Sequence, residues 1–98
     1  MSITLDKIID AVVAEYHTSR NAILSDIRTR QVSDARHTIM YLALTYLTMK
    51  QKHIAKALGK SISAVSNGIT SINNAITTEE YYRLKLNRIY KRLKIKQQ

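Results

Sequence analysis

Apolar residues recur at intervals of three and four along almost the whole chain, the period of an α-helix. Leu5, Ile8, Ile9, Val12, Val13 and Tyr16 make the first stripe. Thr4 stands where a helix cap belongs and Asp6 falls in the first turn, so the pattern predicts a helix over Leu5–Tyr16. His17 to Ser19 break the pattern. Ser19 is a candidate cap for a short helix, Arg20–Ser25, with Ile23 and Leu24 turned inward. The stretch Asp26–Asp34, DIRTRQVSD, has little apolar content and is expected to be an exposed basic loop. Ser33 or Asp34 then opens a third helix running to about Thr48. From Ile39 to Leu47, IMYLALTYL, it is apolar nearly all round, which predicts a central helix packed on several sides.

After a connector at Met49–Lys52, the pattern over Gln51–Ile69 is that of a helix-turn-helix. Ile54 and Leu58 share one face of a short helix, and Ala55 is small where a second helix would cross closely. Gly59 stands at the place of a left-handed C-cap, and Ser61 is a fit N-cap for the next helix. Val65, Ile69, Ile72 and Ile76 give that helix its apolar face. Ser63, Ser66, Asn67 and Thr70 lie opposite, all short and polar, which suits a surface that meets phosphates and base edges. Gly68 costs the helix up to about 1 kcal/mol relative to alanine. Thr77 with Glu80 reads as a capping box for a last helix, roughly Thr78–Lys94. Its stripe is Tyr82, Leu86, Ile89, Tyr90 and Leu93; Arg83, Lys85, Arg88, Lys91, Arg92, Lys94 and Lys96 make the rest cationic. The last residues, IKQQ, should fray. Tyr81 is the tyrosine expected to be exposed. The expected architecture is all-α: five or six helices in one domain, residues 1–98, with the helix-turn-helix at 51–76 and the basic helix at 78–95.

Charge adds a direction to this picture. The formal net charge is +9, of which residues 51–98 carry +8, from ten Lys/Arg against two Asp/Glu. A field of that kind attracts polyanions, nucleic acid first among them. The chain has no cysteine, which excludes a disulfide framework and a thiolate metal site and fits a reducing cytoplasm. No apolar run approaches the roughly 20 residues of a membrane span, and the opening MSITLDK has no signal-peptide pattern. His17, His37 and His53 are scattered and match no metal-ligand spacing, and there is no G-x-S-x-G elbow. Asp6 and Asp10, four apart, are expected on a solvated face. An enzyme, a cofactor and a metal are therefore not expected.

The order of these parts resembles the C-terminal DNA-binding domain of the bacterial replication initiator DnaA, a fold similar to the Trp-repressor helix-turn-helix. The likeness runs over about Ile3–Ile76 and rests on TLDKIIDAVVAEYH, ILSDIRTRQVSDAR and HTIMYLALTYLT. It implies that Arg28, Arg30 and Arg36 fall on basic positions of the family. There the loop before the long helix reaches the minor groove and the helix-turn-helix reads the major groove. The recognition segment departs from the family pattern. GKSISAV is one residue shorter, and Ser61, Ile62, Ser63 and Ala64 replace Asp-His-Thr-Thr before Val65. The resemblance therefore implies DNA binding and its docking mode, with a different target. There is no G-x-x-x-x-G-K-[ST], so the expectation is a reader domain used alone as a small regulator of phage or mobile-element type.

The function expected is sequence-specific binding of double-stranded DNA in the control of transcription or replication, in the cytoplasm at the nucleoid. The residues expected to carry it are Arg28, Arg30, Arg36, Lys60, Ser61, Ser63, Ser66, Asn67 and Thr70, with Lys60 on a phosphate. A homodimer or tandem sites would supply tight binding. The other readings are a protein-interaction module, an adaptor or inhibitor of the replication machinery, and a membrane-surface role for Tyr82–Lys96.

Overall fold

The structure, a computed structural model, describes residues 2–95. Those residues form six helices and no strand: α1 Leu5–Tyr16, α2 Arg20–Leu24, α3 Arg30–Thr45, α4 Gln51–Leu58, α5 Ile62–Thr78 and α6 Glu80–Leu93. Four of the six starts have the same cause. The hydroxyls of Thr4, Ser19, Thr29 and Ser61 each accept the backbone N–H three residues on, satisfying a donor that the helix itself cannot.

Helix α3 is the hub and packs on α1, α2, α4 and α5. Its Ile39, Leu42 and Ala43 have no exposed surface. Around them close Ile8 and Val12 of α1, Ile54 and Leu58 of α4, and Val65 of α5. Helix α6 lies against α1 and α5 and brings Leu86, Ile89 and Tyr90 to the same core.

Gly68 explains itself at the α3–α5 crossing. A Cβ built there would stand 2.7 Å from His37 Cδ2 and 2.8 Å from Met40 Sδ. Glycine lets α5 lie directly on α3, so its low helix propensity is offset by the packing it permits.

Several expected boundaries move. Helix α3 starts at Arg30 rather than at Ser33 or Asp34, because Thr29 caps it through the Val32 N–H. The exposed loop is therefore only Ser25–Thr29, and RQVSD opens α3, with Arg30 and Gln31 exposed, Ser33 and Asp34 half-buried and Val32 buried. At its far end α3 stops at Thr45, and the chain turns away through Thr48 at φ 54°. Leu24 is 46% exposed, not inward.

The capping box at Thr77 does not form. Helix α5 runs on to Thr78, and the Thr77 hydroxyl donates back to the carbonyls of Asn73 and Asn74. Glu79 occupies the cap of α6 with no side-chain bond, and Arg83 instead donates to the last carbonyls of α5, Ile76 at 3.0 Å and Thr77 at 3.4 Å. Lys96 and the fraying expected beyond Ile95 lie outside the described residues.

Candidate nucleic-acid interface

The turn between α4 and α5 follows from two residues. Gly59 sits at φ 66°, in the left-handed region that glycine adopts without strain. The Lys60 N–H then donates to the Ala55 carbonyl at 2.9 Å, closing the end of α4. Ser61 starts α5 immediately afterwards, through a 3.0 Å bond from the Ala64 N–H. Ala55, Val65 and Ile72 are buried, so the outer side of α5 is set by default.

That outer side presents Ser63, Asn67 and Thr70 to solvent, with Ser66 half-buried beside them. Ile62, which sequence reasoning passed over as a candidate, joins them. It is the first residue of α5 and is 54% exposed. The signal was its place: an apolar residue off the Val65–Ile69–Ile72 stripe, at the helix end that meets base edges in helix-turn-helix proteins.

A groove runs between this end of α5 and the Ser25–Thr29 loop. Arg28, Arg36 and Lys60 line it, with Ser61, Ser63 and Asn67. The structure thus brings together six of the nine residues singled out from the sequence. Ser66 and Thr70 are on α5 but do not line this groove.

Arg28 is exposed on the loop. Arg30 is exposed too, but it leans back onto its own helix and α6. Its Nη2 donates to Tyr82 Oη at 3.3 Å and its Nε lies 3.9 Å from Asp34 Oδ2. The same Tyr82 hydroxyl donates to Asp34 Oδ2 at 2.8 Å. Arg30 therefore borders a second groove, at the C-terminal end of α1, with Tyr81 and Lys85.

Arg36 does not lie on an exposed face. It is 7% exposed and donates to three carbonyls at the end of α2: Ile23 at 2.9 Å, Ala22 at 3.0 Å and Ser25 at 3.0 Å. Burial is the main cause that lowers its pKa from the ordinary arginine value; Asp26 opposes the shift and Arg28 adds to it. Lys60 is likewise turned inward. Its Nζ donates to the Ser25 carbonyl and lies 3.7 Å from Asp26 Oδ1.

Three cations of α6 gather on one carboxylate of α1. Glu15 of α1, with a side chain 6% exposed, holds Arg92 at 3.1 Å and Lys85 and Arg88 at 3.6 Å each. Lys85 also donates to the Glu15 carbonyl and stands over the rings of Tyr16 and Tyr81. The sequence carried a hint of this: Glu15 continues the buried Ile8–Val12 row, and a carboxylate on a buried face needs a cation. Asp6 and Asp10 both hold Arg20, at 3.1 and 3.0 Å, in a solvated arrangement.

His37 stands between α3 and α5 against Gly68. Burial holds its pKa below the ordinary value, with Asp34 opposing and Arg36 assisting. Among the described residues no group of three His, Cys, Asp or Glu could hold a metal ion. No helix there is long and apolar enough to cross a membrane.

Six helices with α3 at their centre, and among them a short helix, a glycine turn and a polar-faced second helix, define a helix-turn-helix protein of the Trp-repressor-like kind. The model of the family described as the bacterial dnaA protein helix-turn-helix matches residues 5–72. The chain belongs to this family of DNA-binding domains. It is 30% identical over 95 residues to the chromosomal replication initiator protein DnaA of Nautilia profundicola, covering 96% of this chain and 22% of that one. It is 34% identical over 89 residues to the protein of the same name from Campylobacter concisus, covering 90% and 20%. With the one from Helicobacter hepaticus it shares 39% over 75 residues, covering 76% and 16%. The chain spans about a fifth of the length of these relatives. Helix α6 begins beyond the span that the family model matches.

Proposed function

We propose that this chain binds double-stranded DNA sequence-specifically, in the control of replication or transcription. Helix α5 enters the major groove, and Arg28 reaches the adjacent minor groove from the Ser25–Thr29 loop. The observation that carries this reading is the shared groove: the polar end of α5 and the loop that displays Arg28 flank one concave surface. Ser63 and Asn67, one turn apart, face the base edges, and Asn67 pairs bidentately with adenine. Ile62 meets a thymine methyl, the apolar feature of the major groove. Ser61, Ser66 and Thr70 meet phosphates or base edges alongside, and Arg30 meets the backbone next to the arm. The names of the relatives, chromosomal replication initiators, favour a replication setting.

Titration of duplex binding against salt tests the reading. With about six phosphates neutralised, log K should fall with log salt at a slope near −5. Site selection from random duplexes should return one motif, and Asn67→Ala should relax preference at one or two of its positions. No duplex binding at low salt overturns the reading. One observation then favours the alternative, a protein-interaction module: Tyr81 and Leu84, 56% and 47% exposed, share a face of α6 beside Arg88.

A further inference from the structure

One backbone oxygen ties the two halves of the candidate interface together. Ser25 follows the last residue of α2, where the helix leaves its carbonyls without internal partners. Two cations from two different elements converge on the Ser25 oxygen: Arg36 from α3 and Lys60 from the turn between α4 and α5. A carbonyl oxygen has two lone pairs and accepts both. Asp26, 3.7 Å from Lys60, relieves the repulsion between them. Neither cation is displayed as a phosphate contact would be, since Arg36 is 7% exposed and the Lys60 side chain 13%. The loop is also braced from within. The Ser25 hydroxyl donates to the Ala22 carbonyl at 2.7 Å and accepts the Ile27 N–H at 3.1 Å.

We propose that Lys60 and Arg36 are positioning residues: through the Ser25 carbonyl they hold the Ser25–Thr29 loop, and Arg28 with it, at a set place relative to the start of α5. This rests on the DNA reading above and deepens it. An arginine on a loose loop loses its freedom at the moment of binding, and that loss weakens the complex. A loop already held to the helix-turn-helix presents its arginine in register with the recognition helix. Lys60 thus acts on DNA through Arg28. The ordinary role of a lysine at the start of a recognition helix is different: it meets a phosphate and weakens every site alike when removed.

The test uses Lys60→Met, which keeps the apolar stem and removes the charge, and Lys60→Arg, which keeps a donor. Each is made in the parent and in Arg28→Ala. The probes are two duplexes that share the motif selected by the parent, with A·T-rich or G·C-rich flanks. Narrow A·T-rich grooves are where a minor-groove arginine gains most. Lys60→Met should lose roughly three- to tenfold on A·T-rich flanks, the order expected when a side chain must be ordered on binding. It should lose little on G·C-rich flanks, and its salt slope should match the parent's. In Arg28→Ala it should add nothing, because residues acting through one contact are not additive. Lys60→Arg should recover most of the loss.

A salt slope shallower by about 0.9, equal loss on both flanks and full additivity with Arg28→Ala would overturn the proposal and make Lys60 a phosphate contact. If the parent binds no duplex, the DNA reading fails by itself. Amide hydrogen exchange of residues 26–29 in the protein alone then decides the clamp. Faster exchange in Lys60→Met supports it, and unchanged exchange overturns it.

Discussion

Under the proposed DNA reading, Ile62 would carry specificity that its neighbours cannot. Serine, asparagine and threonine on the same helix face offer hydrogen bonds, whereas the 54% exposed Ile62 offers only apolar contact. The fitting partner is the thymine methyl. Replacing each thymine of the selected motif by deoxyuridine removes only that methyl. At one position the parent should lose about fourfold in affinity, the order of one buried methyl group. Ile62→Ser should bind the two duplexes equally. Equal binding by the parent sinks the idea. His37 carries a second residue-level consequence. Its pKa is lowered by burial in the folded state, so the unfolded chain takes up a proton first as pH falls. The stabilisation is complete above about pH 6.5 and is lost as pH drops through the folded value. The melting temperature should therefore fall between pH 7 and 5, and His37→Gln should flatten that fall. Identical pH profiles would remove His37 as the cause. Arg36 was legible as a basic position but not as a buried strut. The carbonyls it binds are brought to it by the end of α2, which its own neighbours in sequence do not reveal.

Most elements were visible in the pattern because their causes are local. The caps of α1, α2 and α5 and the glycine turn of the helix-turn-helix lie within a few residues of the ends they set. The failures were local alternatives that tertiary packing resolved. Thr77 and Glu80 match a capping box, but Ile76 packs against the core, and α5 continues through Thr78. Asp26–Asp34 looks like a loop until Val32 and Ala35 are seen buried under α3's first turn. Gly68 is the clearest case, a residue that weakens α5 alone and is needed by α5 on α3. In Gly68→Ala, overpacking against His37 and Met40 costs about 1–3 kcal/mol, and alanine's propensity returns up to about 1. A lower melting temperature is expected, reached with unchanged helix content by circular dichroism. A variant more stable than the parent would show that the crossing has room to spare.

At the scale of the whole molecule, the two ends of the chain are joined by Glu15. It is buried on α1 and meets three cations of α6, seventy or more residues away. Glu15→Gln keeps the shape and removes the charge, leaving Lys85 buried without a counter-ion. Loss of one partner of a buried pair costs roughly 3–5 kcal/mol. Here on the order of 2 is expected, because Arg88 and Arg92 are 63% and 46% exposed and water replaces part of their interaction. Urea unfolding would measure it, and an unchanged midpoint would mean that α6 is held by its apolar stripe alone. The sequence by itself determined the helical class, the hub helix, the helix-turn-helix with its turn and polar face, and the basic second half. Those features follow from periodicity, caps and charge, which act between residues close along the chain. Only the tertiary structure decided what the charges do. Which basic residues face solvent, as Arg28 does, and which are spent inside, as Arg36, Lys60 and Lys85 are, depends on carbonyls and carboxylates contributed by distant helices. A side chain's partner is set by where the backbone of another element passes, and no local pattern encodes that.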